Sequence, residues 1–436
     1  MALSGIQIYK LLPQTNCKEC GFPTCLAFAM KLAAKQVELS SCPYVSEESK
    51  RQLAESAAPP IRLVALKGAG AEVKAGNEVV MFRHEKTFYN KPGLFIHVKA
   101  SDPDLAAKVA AADAYKVNYV GMDFTVDGFA LVLDSDAAAA IQTVRGATKR
   151  PLILIGDAAA LQAGLSACGG ETPLLYAADA SNAEALAELA KGKAALTVKA
   201  DSLEALADLT QKIQAKGVED MVLDLGGKNL SEWLTRSTQV RRLALKANFR
   251  ALGYPVIAFP CDAQDEGIAA AQAIAKYAGF IVLSEFKPEL LYPLLVLREN
   301  IYTDPQKPIQ VQPGVYEINQ PKPESPVLVT TNFSITYFSV ANEVEGSGLP
   351  AWLVVTDAEG MSVLTAWAAG KFDAERIAKA IKGFDVASKV AKKRVVLPGH
   401  VAVLSGELEA ELPDWEIRVG PREAVDLPAF MKQALN

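Results

Sequence analysis

Residues 152–199, LILIGDAAALQAGLSACGGETPLLYAADASNAEALAELAKGKAALTVK, carry the pattern that decides the fold. Three short apolar runs, LILI, LLYAA and ALTV, are separated by alanine-rich stretches whose apolar residues recur at helical spacing. A continuous apolar run bounded by turn residues suits a strand buried on both faces, and strands alternating with helices imply a parallel sheet.

The same unit extends in both directions. Eight runs can be counted: FIHVKA from Phe95, FALVLD from Phe129, LILIGD from Leu152, LLYAAD from Leu174, ALTVKA from Ala195, MVLDLG from Met221, VIAFP from Val256 and FIVLSEF from Phe280. Eight strand–helix units are what a closed (β/α)8 TIM barrel requires, and the barrel domain is predicted over 59–312. Asp134, Asp157, Asp179 and Asp224 follow strands, where barrel active sites sit; each also reads as a helix cap or loop start. Upstream, RLVALKG and EVVMFRH predict a hairpin that caps the barrel.

At 436 residues the chain has room for two to four domains of about 100 to 200 residues each. Its charged fraction of 22% suits an ordinary globular protein, and a net charge of -5 supplies no basic field, so no nucleic-acid partner is expected. MALSGIQIYKLLPQTNC lacks the features of a secretory signal, and no apolar run has the length of a membrane span. The expectation is a cytoplasmic protein with no membrane association.

Beyond the barrel, QVQPGVYEINQPKPESP (310–326) carries Pro313, Pro321, Pro323 and Pro326, and 313–326 reads as an extended interdomain linker. The remainder, 327–436, alternates again. PVLVTTN, AWLVVTDAEG, RVVLPGHVAVLSG and WEIRVGP supply strands, whereas NFSITYFSVANEVEGSG and MSVLTAWAAGKFDAERIAKAIKGF are helical. An open, doubly wound α/β domain is predicted there.

The first 58 residues form a compact segment, ending before Pro59 and Pro60, that holds Cys17, Cys20, Cys25 and Cys42 in the spacing Cys-x2-Cys-x4-Cys-x16-Cys; Cys168 and Cys261 stand alone. Clustered thiols in a reducing compartment point to a metal and not to disulfides. Four of them suit the four irons of a 4Fe-4S cube, and Gly21 allows a tight turn between ligands. Tetrahedral zinc uses the same donors but more often pairs two Cys-x2-Cys knuckles; a redox dithiol fits least well.

The opening LLPQTNCKECGFPTCLAFAMKLA (11–33), with the later Cys42-Pro43, resembles the N-terminal cluster domain of the large (gamma) subunit of the corrinoid iron-sulfur protein of the reductive acetyl-CoA pathway. TTNFSITYFSV, VVTDAEGMSVLTAWAAGKF, PGHVAVLSGELE and VGPREA resemble its C-terminal part, so the likeness spans essentially the whole chain. The resemblance implies an α/β multidomain methyl carrier with a small N-terminal 4Fe-4S domain, a central TIM barrel and a C-terminal Rossmann-like domain holding cobalamin. It also implies a heterodimer with a smaller corrinoid protein subunit, the corrinoid lying between the two. As Co(I), the cobalt accepts a methyl group from methyltetrahydrofolate on a methyltetrahydrofolate:corrinoid methyltransferase, or from a tetrahydropterin in methanogens. As methyl-Co(III) it donates that group to the CO dehydrogenase/acetyl-CoA synthase, and the cluster re-reduces inactive Co(II).

Ligands of open α/β sheets sit beyond the carboxyl ends of the strands. That rule selects Thr330, Thr331, Asn332, Thr336 and Tyr337 after the first strand of the last domain, and Asp357 to Val363 after the second, with Gly360, Met361, Ser362 and Val363 facing the corrin. After the third it selects Leu404, Ser405 and Gly406, and after the fourth Gly420, Pro421, Arg422, Glu423 and Ala424. Each loop alone reads as a plain turn. The Asp-x-His-x-x-Gly signature of many corrinoid modules is missing, so His400 is assigned no cobalt bond, and a base-off cofactor follows from the resemblance. A weaker lower ligand makes reduction to Co(I) easier. His84 and His97 read as structural, as do Trp352 and Trp415, while Tyr337 and Trp367 lie nearest the predicted loops. Two other readings remain open: a barrel that is itself a pterin-dependent methyltransferase using Asp224 and Asn229, and a zinc-bearing scaffold.

Overall fold

A computed structural model describes residues 4–33, 36–50, 53, 59–119, 121–227, 229–303 and 309–434. The chain divides into two units, Met1–Tyr115 with Val126–Tyr302, and Lys116–Thr125 with Thr303–Asn436. The boundary expected at residue 58 lies outside the described residues.

The first unit opens with helices α1 (Gly5–Leu11) and α2 (Cys25–Ala33), α1 started by a reciprocal Ser4–Gln7 capping box. Strands β1 (Val64–Lys67) and β2 (Glu72–Ala75) then form an antiparallel hairpin. Its second arm is not EVVMFRH, residues 78–84, as the sequence suggests. The carbonyls of Val80 and Met81 instead accept from the guanidinium of Arg241, which pairs with the buried carboxylate of Glu78 and lies 4.3 Å from the ring centre of Tyr277. An arginine fork has replaced a neighbouring strand as the partner of this backbone.

The chain continues through β3 (Gly93–Lys99) and a hairpin of β4 (Val117–Tyr119) and β5 (Met122–Phe124) that belongs to the second unit. Seven more strands follow, β6 (Gly128–Val132), β7 (Leu152–Ile155), β8 (Leu174–Ala178), β9 (Ala195–Lys199), β10 (Met221–Asp224), β11 (Val256–Ala258) and β12 (Phe280–Leu283). Among the described residues, β3 and β6 to β12 close a parallel barrel in chain order, with β12 paired back onto β3. All eight runs of the sequence are thus barrel strands. Alternate residues such as Phe95, Ile153, Leu174, Val222 and Phe280 fill the interior together with Val64, Leu66 and Ala75 of the β1–β2 hairpin. The hairpin caps the N-terminal end: a Cβ at Gly93 would meet Val73, and one at Gly279 would meet Ala75. No described helix is long and apolar enough to cross a membrane.

In the second unit the sheet order is β13 (Gly314–Ile318), β15 (Ala351–Thr356), β14 (Val327–Thr331), β16 (Arg394–Leu397), β17 (Glu416–Val419). β13 is antiparallel; the other four are parallel. One face of the sheet is covered by helices α3 (Ser334–Ser347) and, at the far end of the chain, Leu427–Ala434, around Leu328, Val344, Leu353 and Met431. The other is covered by α4 (Val363–Ala368), α5 (Ala374–Gly383) and α6 (Ser405–Glu411), around Val329, Val354, Phe372, Ile377 and Leu408. The β4–β5 hairpin joins the first of these cores through Tyr119, whose ring centre is 6.1 Å from that of Phe338.

Two expectations need correction here. The segment 313–326 is not simply a linker, because Gly314–Ile318 forms the edge strand β13, which can carry prolines on either side since only one edge must bond. VAVLSG (401–406) is not part of a strand: β16 stops at Leu397, Pro398-Gly399 turns the chain, and Val401 and Leu404 are buried from a 3-10 turn that runs into α6.

Asn319, inside the expected linker, fixes the end of α3. It has a left-handed φ of +55°, and its side-chain amide donates to the carbonyls of Val344, Glu345 and Leu349 at 3.0, 3.2 and 3.0 Å. Val344 and Glu345 supply carbonyls of the last helical turn and Leu349 lies just beyond the cap, so one amide ties the helix end to the chain that leaves it. Asn319→Ala is expected to destabilise the second unit by about 1–2 kcal/mol in urea unfolding; an unchanged midpoint would show the cap to be dispensable.

Candidate functional site

The strand order creates a crevice that no single stretch of sequence reveals. The chain leaves β14 into α3 on one face of the sheet and leaves β15 into α4 and α5 on the other, so the connections diverge beside the carboxyl end of β14. Such switch points are where open α/β sheets bind ligands. A groove of about 570 Å³ opens there, lined by Thr330, by Ile335, Thr336, Ser339, Asn342 and Glu343 of α3, by Ser362 to Leu364, by Leu397, Pro398 and His400, and by Gly420 to Val425.

Its surface is of mixed character. Thr330 is 1% exposed, and its hydroxyl has no partner among the described residues. Buried hydroxyls normally find one. Ile335, Leu364 and Val425 are 65%, 46% and 65% exposed around the same groove. Apolar side chains displayed together mark a surface that binds something. His400 stands 3.8 Å from the carboxylate of Glu423.

Of the residues selected from sequence, Thr330, Thr336, Ser362, Val363, Gly420, Pro421 and Ala424 line the groove together, with Arg422 and Glu423. Thr331, Tyr337, Gly360, Met361, Leu404, Ser405 and Gly406 do not line it. Thr331 is fully buried, with an unpartnered hydroxyl. Tyr337 packs on Tyr316, ring centres 5.0 Å apart, and burial pushes its phenol up. Gly360 (φ +73°) abuts the side chain of Gln310, and its amide already donates to Asn332, while that of Met361 donates to Ala358. Asn332 is therefore a brace: its amide oxygen accepts from Ala358 and Gly360, and its nitrogen donates to Gln310 and Asp357. Leu404, Ser405 and Gly406 sit at the start of α6, past the true end of β16. Trp352 is buried, its indole donating to the Lys322 carbonyl, Trp415 packs on the α4–α6 core, and Trp367 is exposed away from the groove.

The face of α3 at Ile335, Ser339, Asn342 and Glu343 was not selected from sequence. Ile335, 65% exposed in the first turn of α3, shows which face of the helix lines the groove, and its exposure is visible only in three dimensions.

In the N-terminal segment Cys20, Cys25 and Cys42 belong to one small core with Ile8, Leu12, Phe28, Ala29 and Val45, and Cys17 is exposed on the preceding loop. Thr24 caps α2 by accepting from Ala27, which places Cys25 at the first residue of the helix. Asn16, itself left-handed at φ +49°, accepts from the Cys25 amide at 2.8 Å. Gln14, Lys18 and Gly21 share that conformation, a concentration of backbone strain typical of ligand-holding loops. Among the described residues, no three His, Cys, Asp or Glu side chains are drawn together tightly enough to hold a metal ion. The structure thus puts three of the four thiols on one core, with Cys17 on the loop before it, without gathering the sulfurs; as a donor set, four thiols with one at a helix start fit an iron-sulfur cluster.

The barrel mouth holds a third arrangement. Asp224, 7% exposed, accepts from the Tyr176 hydroxyl at 2.7 Å and from the Gly226 amide at 2.8 Å, with Lys199 3.6 Å away. Burial, and then Asp224, raise the Tyr176 phenol far above its ordinary range. Asp157 and Asn229 are helix caps, and Asp134 and Asp179 are held by the neighbouring Ser101 and Ser181. Burial, with Lys99 nearby, lowers the pKa of His97. His84 stacks on Phe82.

Comparison with known proteins covers the whole chain. The family model described as CO dehydrogenase/acetyl-CoA synthase delta subunit matches residues 64–431, and a model for an Fe-S cluster segment matches residues 12–44. The chain is 44% identical to the corrinoid/iron-sulfur protein large subunit of Moorella thermoacetica, with 100% of each chain covered. It is 32% identical to the acetyl-CoA decarbonylase/synthase complex subunit gamma of Methanopyrus kandleri and 35% identical to subunit gamma 1 of Methanosarcina mazei, over 99% of this chain and 98% of each relative.

Proposed function

This chain belongs to the family of corrinoid/iron-sulfur protein large subunits and acetyl-CoA decarbonylase/synthase gamma subunits, and from that premise we propose that it is a methyl carrier of the acetyl-CoA pathway. The groove beyond β14 and β16 binds a corrinoid, and Cys17, Cys20, Cys25 and Cys42 bind a 4Fe-4S cluster. The corrinoid supplies a cobalt that holds a methyl group between donor and acceptor, and the cluster supplies the electron that restores an oxidised cobalt. The observation carrying this reading is the groove at the carboxyl ends of β14 and β16, rimmed by exposed apolar side chains, in a chain related end to end to corrinoid/iron-sulfur subunits.

The residues have distinct parts in this. Ile335, Leu364 and Val425 cover the apolar body of the corrinoid, Asn342 and Arg422 meet its polar side chains, and Thr330 forms the floor beneath it. His400 stands 3.8 Å from Glu423 and is assigned no bond to cobalt, in keeping with the base-off cofactor that the family resemblance implies. The rim stays open for a smaller corrinoid protein subunit, for methyltetrahydrofolate:corrinoid methyltransferase and for acetyl-CoA synthase in turn. The setting is cytoplasmic.

Anaerobic preparation with its companion subunit is expected to give corrin absorption bands with stoichiometric iron and cobalt. A colourless protein carrying zinc would overturn the proposal. The Tyr176–Asp224–Lys199 cluster favours one second reading, a barrel that itself binds a pterin and catalyses the transfer. Asp224→Asn separates the two: methyl transfer within about twofold of the parent is expected, whereas a loss of about 100-fold supports barrel catalysis.

A further inference from the structure

We propose that Tyr44 is a positioning residue for the iron-sulfur site, latching the segment that carries the fourth thiol onto the turn between the first two. The inference rests on the cluster reading given above. Glu19 lies within the Cys17-x2-Cys20 turn and Tyr44 lies two residues after Cys42, and the Tyr44 hydroxyl donates to the Glu19 carboxylate at 2.9 Å.

The turn itself is closed by the Gly21 amide donating to the Lys18 carbonyl at 2.9 Å. From its other end Asn16 holds the Cys25 amide. Residues 16–21 are therefore a hub. Cys17 and Cys20 lie within it, Cys25 is tied to it through Asn16, and Cys42 is tied to it through Tyr44. Cys42 and Val45 are both anchored in the small core, so the fourth-thiol segment has a buried hold on either side of Tyr44 and one polar hold through it. The polar hold sets its distance from the other three thiols.

The same bond fixes a negative charge. A carboxylate held beside a cluster opposes the arrival of an electron, so Glu19 lowers the reduction potential, and it does so fully only while Tyr44 keeps it in place. A residue that merely packed the segment would change cluster retention without changing potential.

The test uses the full chain with its companion subunit, comparing Tyr44→Phe, Glu19→Gln and the double variant. Iron release to EDTA under anaerobic conditions and the cluster's potential from an EPR-monitored redox titration are the two readouts. Each single variant is expected to release iron about tenfold faster than the parent and to show a raised potential, and the double variant is expected to match the more affected single. Single variants indistinguishable from a cluster-bearing parent overturn the latch alone, as do effects that add independently in the double variant. A parent that takes up no iron removes the cluster reading itself, and the latch with it.

Discussion

Replacing Cys20 with alanine is expected to abolish reductive reactivation while methyl transfer from material already reduced continues. Cys20 packs on the small core that also holds Cys25 and Cys42, and its sulfur belongs to the set of four thiols proposed to hold the cluster. A cube with four irons that each want a thiolate loses its hold at one corner, and the remaining iron is exposed to water and oxidant. The groove is built from residues 328–427 and contains none of these thiols, which is why transfer is expected to survive. The measurement is iron content and turnover number per preparation, with and without prior chemical reduction. If Cys20→Ala keeps both its iron and its ability to recover from oxidation, the four thiols are not the cluster ligands. If the parent and the variant both carry zinc, the segment is a structural knuckle.

The barrel was legible in the sequence because its strands are buried on both faces, and that burial writes itself as continuous apolar runs such as LILI at 152–155, whose first three residues are fully buried. The edge of the second unit was not. β13 bonds on one side only, its five residues are mostly half-buried, and the flanking prolines make it look like spacer. The four thiols could be read from spacing alone, but Tyr44 could not, since its partner Glu19 is 25 residues away and the two are joined only in three dimensions. The groove shows the same limit more sharply. Four loops were selected because each follows a strand, yet which loops share a crevice depends on the strand order β15–β14–β16–β17, a global property absent from any local window. Among the strand-end acids, periodicity could not separate Asp157, which caps a helix, from Asp224, which points inward to Tyr176.

Gly399→Ala is expected to empty the groove of corrinoid by about tenfold or more, with a stability loss in the second unit of about 1–3 kcal/mol. A Cβ at Gly399 would stand 2.5 Å from the Gly420 carbonyl oxygen, 2.7 Å from the Pro421 carbonyl carbon and 2.8 Å from the Arg422 nitrogen. All three are backbone atoms, so no side chain can swing aside to make room. The two loops are also zipped together: the Gly399 amide donates to Pro421 at 2.9 Å, and the Gly420 amide donates to Leu397 at 2.8 Å. An added methyl must therefore drive 398–400 away from 420–422, and these segments are adjoining walls of the groove. The control is Gly406→Ala, at a position in α6 with nothing within 4 Å and an ordinary helical backbone, which is expected to leave corrinoid content unchanged and to hold stability or raise it by up to about 1 kcal/mol. Cobalt per chain after anaerobic reconstitution, alongside urea unfolding, measures both effects. Full cobalt in Gly399→Ala would move the corrinoid out of this groove, and a loss confined to Gly406→Ala would move it to the Leu404–Gly406 loop that the sequence alone selects.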